Sequence, residues 1–471
     1  MDLRFFILQK EVNLMNTSSK MSDMPVKKLM ISMGLPMIIS MVLQAVYNIV
    51  DSAFVGRIKN VGEEALNALT LAFPIQMLIV AIAIGTGVGM GAVVSMQLGQ
   101  KNKTQANRTA GNALFLALII FIAFLLFGLF GVKAYISSQT SNHVIKQMSV
   151  SYLKICCVFS FGIVFFSIFE KLLQSTGKSI YSTIAQIAGA VTNIIFDPIL
   201  IYGLIGFPEL GVRGAAYATV IGQIVSLIIA IIFHLCKNKE IQNKPIYLKP
   251  SPKIIRQIYS IGIPAIIAQA LMSVMTYGLN LILIKIDESV VTAYGIYYKI
   301  QQFVLFAAFG LRDAITPIVS FSYGSQNKKR ISDGIKYGLI YTVGIMIIGT
   351  IVLEVLAQPM SDLFGLSGET KTICTTAIRT ISLSFAFAGA NIAFQGIFQA
   401  VECGLESLVI SVCRQFLFVI PTAWLFSKIV GNNTDMIWLV WLTFIIAEIL
   451  SFLIGVYMLK RCISKKLYKK M

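Results

Sequence analysis

Four polar residues in the first long apolar stretch, Gln44, Tyr47, Asn48 and Asp51, stand at i, i+3, i+4 and i+7. On a helix that spacing puts all four on one face of a segment that is otherwise apolar. A carboxylate inside a membrane span costs about 2.5–3.5 kcal/mol on insertion scales, so it is kept where it meets a cavity or a partner. The fifth apolar stretch offers that partner: Asn193 and Asp197 lie at i and i+4, and Pro198 removes a backbone hydrogen bond beside the carboxylate. Thr219, in the sixth stretch, adds a hydroxyl oxygen. Asp51, Asn193 and Asp197 would form a small cage of hard oxygens of the kind that suits Na+, by the logic that governs calcium and magnesium. A proton would need only one carboxylate whose proton affinity is raised by burial or by the second acid. Two plainer roles compete, with Asp51 solvated at a helix end and Asp197 satisfying backbone groups that Pro198 frees. Gln44, Tyr47 and Asn48, on the same face, are expected to contact substrate.

Such side chains need spans to carry them. Of 471 residues, 56% are hydrophobic and 13% charged, and the mean hydropathy is +0.79; a soluble domain carries about 25% charged residues. The fold class is therefore an all-α polytopic membrane protein. Apolar runs against polar breaks predict twelve transmembrane helices, at 33–56, 68–92, 110–132, 150–173, 180–203, 213–236, 258–286, 293–318, 334–358, 374–400, 405–428 and 437–460. About half the chain is left for loops and tails. Residues 1–30 hold no apolar core longer than Phe5–Leu8 and no small-residue cleavage site, so the first span is expected to direct insertion.

An even count of spans puts both termini on one side. Of the 39 Lys and Arg residues, 26 are assigned to connections and span ends on that side, Lys171 and Lys178 among them, 10 to the other side, and Lys299, Arg312 and Arg414 to the interior of spans. The net charge of +18 thus expresses topology, with both tails cytoplasmic in a cell membrane. The basic C-terminal run suits anionic lipid better than nucleic acid. The expected organisation is a cytoplasmic tail 1–32, an N-lobe 33–236, a cytoplasmic linker 237–257, a C-lobe 258–460 and a basic tail 461–471.

The second half repeats the first. Gly34 and Pro36 recur as Gly262 and Pro264 at an offset of 228, Gly99 and Asn102 as Gly324 and Asn327 at 225, Phe169 and Gln174 as Phe394 and Gln399 at 225, and Pro198 as Pro421 at 223. Six spans per half keep the same direction of insertion, so the repeats are parallel, two pseudo-symmetric six-helix bundles facing one another. Pro36 and Pro264, at equivalent positions, mark helices prone to bend. In these registers Asp51 corresponds to Leu279 and Asp197 to Ile420. Acids needed only to hold a six-helix bundle together would recur in the second; their restriction to one half favours a cation site in the N-lobe.

The second half has its own polar set. Asp313 follows Arg312, and since adjacent helical positions face differently the two are not expected to neutralise each other simply. Asp313 is a candidate anchor for a cationic substrate, with Met272 and Thr276 of the seventh span as further contacts. Glu402 and Glu406 are expected near a solvated turn, while Glu170, Glu354 and Glu448 receive no role. Seven cysteines without C-x-x-C spacing and only two histidines make disulfides, thiolate metal sites and His-based sites unexpected. Gly177-Lys178-Ser179 mimics the end of a P-loop, but Leu172 stands where that motif needs glycine. No nucleophile with a base is apparent, so no enzyme, cofactor or nucleic-acid partner is expected.

Four runs resemble the multidrug and toxic compound extrusion (MATE) family: Gln44-x-x-Tyr-Asn-x-x-Asp51-x-x-Phe-Val-Gly56-Arg57, Asn193-x-x-x-Asp197-Pro198, Gly211-x-x-Gly-Ala-Ala216-x-Ala-Thr219-x-x-x-Gln223 and Pro317-x-x-Ser-x-x-Tyr323-Gly324. The resemblance runs from about residue 30 to 460 and is greatest to the bacterial branch with an N-lobe aspartate pair. It implies sodium- or proton-driven export of organic cations, with Asp51, Asn193 and Asp197 at the positions of that branch's cation site and Thr219 as its helix 6 hydroxyl. The expected protein is a secondary active multidrug exporter working as a monomer by alternating access on cationic or amphipathic small molecules. A flippase for a lipid-linked saccharide is the alternative.

Overall fold

The structure, a computed structural model, describes residues 20–58, 61–364, 366–431, 433–464 and 466; the first nineteen residues, most of the basic C-terminal tail and the side chain of Asn48 lie outside the described set. Long apolar segments with satisfied internal hydrogen bonds are what a bilayer demands, and the described residues supply twelve such units. They are α1 (Val26–Val55), α2 (Gly62–Gly99), α3 (Lys103–Ser137), α4 (His143–Val158 and Phe161–Ser175), α5 (Ser179–Tyr202), α6 (Val212–Lys237), α7 (Pro252–Leu283), α8 (Glu288–Gly324), α9 (Lys328–Leu363), α10 (Gly368–Ser382 and Phe385–Ala400), α11 (Gly404–Val430) and α12 (Trp438–Ile463). Two of these, α4 and α10, are broken pairs bent by 44° and 55°. Pro36 and Pro264 sit inside continuous helices.

Helices run past the predicted ends because capping, rather than hydrophobicity, sets where they stop. Asn102 begins α3 by accepting from the Gln105 backbone N–H at 3.1 Å, and Asn327 begins α9 by accepting from that of Arg330 at 3.0 Å. The residues before these caps, Lys101 and Gln326, both take left-handed φ, 59° and 55°. Asp287 caps α8 through the Ser289 N–H at 2.8 Å. The start of α1 reaches back to Val26, and Met21, Leu29, Met30 and Met33 pack with α8, α10 and Cys462 of α12, so residues 20–32 of the segment assigned to the N-terminal tail are part of the bundle. The linker is tied down as well. Asn112 donates to the carbonyl of Lys249 at 3.2 Å and accepts from the Ser251 N–H at 2.7 Å.

The halves interlock through exchanged helices, α1 lying on α8 and α7 on α2. Glycine permits the approach. A Cβ on Gly99 would lie 2.1 Å from the Phe321 carbonyl oxygen, and one on Gly324 2.0 Å from that of Met96. Each of these residues lies 225 positions from its counterpart, so one contact is made twice across the pseudo-axis, at the end of the bundle where α1 begins and α12 ends. Ser95 donates to the Ser175 carbonyl at 3.0 Å, and Ser320 to that of Ala400 at 2.8 Å, in the same repeat. Large apolar side chains such as Ile119, Leu126, Ile228, Ile351 and Val355 face outward, as a lipid-facing surface requires. Contrary to the sequence-based expectation, Cys403 and Cys462 form a disulfide between the turn before α11 and the end of α12. They are 59 residues apart, and only the packing of α11 beside α12 brings them together.

Candidate functional site

In the N-lobe, α1, α5 and α6 meet around two acids. Asp197 is fully buried and Asn193 nearly so. The Asp51 and Asp197 carboxyl groups come within hydrogen-bonding reach of one another, with the Tyr47 phenol close to both. The Asn193 side chain connects them to α6. In the orientation that satisfies both ends, its nitrogen donates to Asp197 Oδ2 at 3.3 Å and its oxygen accepts from the Thr219 backbone N–H at 3.2 Å. Thr219 thus enters this contact through its main chain. Among the described residues Asp51 Oδ1 is buried without a hydrogen-bond partner, an acceptor beside a second carboxylate. That oxygen set fits a proton or a small hard cation. Among the described residues no cluster of three or more His, Cys, Asp or Glu side chains is placed to hold a metal, so a cation here would depend on two carboxylates and neutral oxygens.

One helical turn and more from Asp51, Gln44 accepts from Gln186 Nε2 at 2.9 Å, and the Ser40 hydroxyl donates to Gln186 Oε1. This relay fastens α1 to α5 along the polar face. In the C-lobe the equivalent place is apolar, with Leu279 buried and Ile420 packed into the same cluster. The structure therefore keeps the one-sided distribution of acids that the repeat register gives.

Asp313 lies elsewhere, at the junction of the lobes. Lys171 Nζ of α4 donates to its Oδ2 at 2.6 Å, and Arg312 Nε and Nη2 donate to its Oδ1 at 3.0 and 2.8 Å. The expectation that Arg312 and Asp313 would not neutralise each other is thus overturned, because the long arginine side chain folds back over one peptide. Lys171 is also corrected: counted with the loop cations, it is 5% exposed and bonded to Gln174 as well. Glu170 accepts from Gln174 at 2.9 Å, completing a buried row of two acids and two bases.

A second buried pair lies in the C-lobe. Arg414 Nη2 and Nε donate to Glu448 Oε1 at 2.6 and 3.0 Å, and Asn391 donates to Glu448 Oε2 at 2.7 Å. Met272 borders a cavity of about 50 Å³ beside this pair and a smaller one, about 20 Å³, at the lobe junction. Thr276 donates its hydroxyl to the Met272 carbonyl at 3.0 Å. The sequence reading thus placed the Asp51, Asn193 and Asp197 group together, but it missed Gln186, Lys171 and the Arg414–Glu448 pair. A buried lysine and a Glu 34 residues from its arginine have no spacing signature; the one available signal was Arg414 inside a predicted span.

Two like sets of six spans, locked through exchanged helices around buried polar groups, define a bilobal membrane carrier. Its segments 36–199 and 264–425 each match the MatE family, one match per repeat. The chain belongs to the MatE family of transporters. It is 26% identical to the multidrug export protein MepA of Staphylococcus haemolyticus over 87% of this chain and 89% of that one, and 27% identical to MepA of Staphylococcus aureus over 88% and 90%. In structure it superimposes with a TM-score of 0.88 on the outward-facing conformation of a multidrug resistance MATE transporter of the MOP superfamily, at 24% identity over 95% of this chain and 99% of the other. A MOP superfamily transporter from Pyrococcus furiosus, described as having a binding pocket of reversed polarity, gives 0.85 at 24% identity over 95% and 98%. At that identity the likeness speaks for the fold.

Proposed function

We propose that this protein is a secondary active exporter of cationic and amphipathic organic molecules, exchanging them for Na+ or H+ across the cell membrane by alternating access, with both tails in the cytoplasm and a complete path in each monomer. The observation that carries the reading is the N-lobe acid pair, with a buried, unpartnered oxygen on Asp51 and no acid at the equivalent C-lobe position. Two carboxylates so close repel when both are ionised, and a cation or proton arriving between them removes that repulsion. Loading would therefore change how α1 packs on α5, and α1 also lies on α8 of the other lobe. The multidrug export relatives support the cargo class. Substrate would meet Gln44, Tyr47 and Asn48 on α1 and Met272 and Thr276 across the lobes, whereas Asp313 is already neutralised by Lys171 and Arg312.

The test is transport of a fluorescent organic cation in proteoliposomes under a sodium gradient and a pH gradient applied separately. One gradient drives uptake in the wild type, and Asp51→Asn and Asp197→Asn, inserted at normal levels, lose at least a hundredfold in gradient-driven rate. Full activity in both variants would remove the acid pair from coupling. A folded protein that answers to neither gradient would shift the reading to lipid-linked saccharides.

A further inference from the structure

At the end of the bundle where α1 begins and α12 ends, a cavity of about 700 Å³ lies between the halves. Its walls come from α2, α3 and α7 on one side and from α8 and the turn before α11 on the other. Their charge is one-sided. Arg108, Lys253 and Lys466 stand against the carboxylate of Glu402, which Gln257 Nε2 already engages at 2.8 Å. Lys466 donates to the carbonyls of Val401 and Glu402 at 2.9 and 3.2 Å. Among the described residues, neither the Arg108 guanidinium nor the Lys253 ammonium has a carboxylate partner.

One amide brings these two cations to the same wall. Asn112 Nδ2 donates to the Arg108 carbonyl at 2.8 Å, while its Oδ1 accepts from the Ser251 N–H at 2.7 Å. The turn of α3 that carries Arg108 is thereby fastened to the first turn of α7, which carries Lys253. That turn is uncapped, since the Ser251 side chain makes no capping bond and Pro252 has no N–H. Its first main-chain bond runs from the Ile255 N–H to the Ser251 carbonyl, so the N–H groups of Lys253 and Ile254 have no helical acceptor. A separate donor lies on α2. Gln97 lines the same cavity at 6% exposure. Its Oε1 accepts from the Thr109 hydroxyl at 2.8 Å, and among the described residues its Nε2 has no partner. A buried amide N–H left open calls for an acceptor. Guanidinium, ammonium, amide N–H and a helix N-terminus together make the donor set that phosphate oxygens take.

We propose that this cavity binds a phosphate-bearing anion, seated on Arg108, Lys253, Gln97 and the first turn of α7. An anion held there also faces Tyr323 of α8 and Gln326 beyond it, and so ties the two halves together at this end. The site is remote from the Asp51–Asp197 pair and does not rest on the export reading. A soluble phosphate ester and an anionic phospholipid headgroup present the same oxygens, and the test tells them apart.

Binding of inorganic pyrophosphate to the purified full chain in phosphatidylcholine nanodiscs is measured by calorimetry at fixed ionic strength. The wild type binds it. Arg108→Gln and Lys253→Gln each weaken binding tenfold or more, the value of a hydrogen bond to a charged group. Lys103→Gln removes an exposed cation at the same end but outside the cavity, and stays within about twofold. Gln97→Met, which removes no charge, also weakens binding. Pyrophosphate slows modification of a Gln100→Cys reporter on the cavity wall, read at that cysteine by mass spectrometry. Native mass spectrometry then counts the phosphatidylglycerol that the protein retains. A headgroup occupant gives one more retained lipid in the wild type than in the Arg108→Gln, Lys253→Gln double variant, and pyrophosphate displaces it. A soluble occupant gives equal retention with pyrophosphate binding intact. No pyrophosphate binding, equal weakening by Lys103→Gln, no effect of Gln97→Met, or an unprotected Gln100→Cys would each overturn the site. Pyrophosphate binding in a protein that transports nothing under either gradient would leave this site standing and sink the exporter.

Discussion

At the scale of single residues, energetics follow from which charges lose partners on substitution. Two carboxylates about 4 Å apart at an effective dielectric of about 20 repel by about 4 kcal/mol when both are ionised, enough for cation loading between Asp51 and Asp197 to bias a conformational equilibrium strongly. The junction row behaves differently, because its charges are matched. Asp313 has two cationic partners, and Lys171 depends on it for its shortest bond. Asp313→Asn would leave both bases without that carboxylate, a loss of about 3 kcal/mol for a broken buried pair. Lys171→Met should cost clearly less, since Arg312 keeps both of its bonds to Asp313. Thermal melting of the two variants in detergent checks the order; a lower melting temperature for Lys171→Met than for Asp313→Asn would show that Lys171, not Asp313, is the hub.

At the scale of elements, α2 and α8 approach one another through a pair of glycines, Gly99 and Gly324. The groups that a Cβ on Gly99 or Gly324 would strike are backbone carbonyls, which cannot swing aside as a side chain can. Gly99→Ala and Gly324→Ala are therefore expected to part the two helices at the end where α1 begins and α12 ends, while leaving each lobe folded. Beside this contact lies a polar cavity of about 700 Å³ bordered by Gln100, Arg108, Lys253, Gln257 and Tyr323. The expected outcome is faster modification of a Gln100→Cys reporter by a water-soluble thiol reagent in either alanine variant. An unchanged rate would mean that the glycines serve packing alone. The broken helices α4 and α10 carry a related lesson. Their breaks, at residues 159–160 and 383–384, recur at equivalent places, and each helix ends against the same serine of α2 or α8.

At the scale of the whole molecule, the charge asymmetry makes its own prediction about orientation. Burial of Lys171 removes one cation from the inner set and leaves the bias intact. Single cysteines placed at exposed loop positions, Glu209→Cys and Asn433→Cys, should react in intact cells, and Lys249→Cys only after permeabilisation. The reverse pattern would invert the assigned topology. Much of this architecture was legible in the sequence because a bilayer penalises every unpaired backbone group and nearly every charge, so hydropathy alone marks spans, and duplicated landmarks mark the two halves. The shared face of Gln44, Tyr47 and Asp51, the i, i+4 pairing of Asn193 with Asp197 and the absence of acids opposite them are local or register properties, and they too could be read along the chain. What crosses between distant segments could not. The bonds from Lys171 to Asp313, from Arg414 to Glu448 and from Gln186 to Gln44, the Cys403–Cys462 disulfide and the cavity that Gln97, Arg108 and Lys253 share depend on how helices far apart in sequence are placed side by side. Hydrophobicity selects which residues enter the membrane; only the packing of one helix against another decides which buried polar groups find partners and which are left open for a ligand.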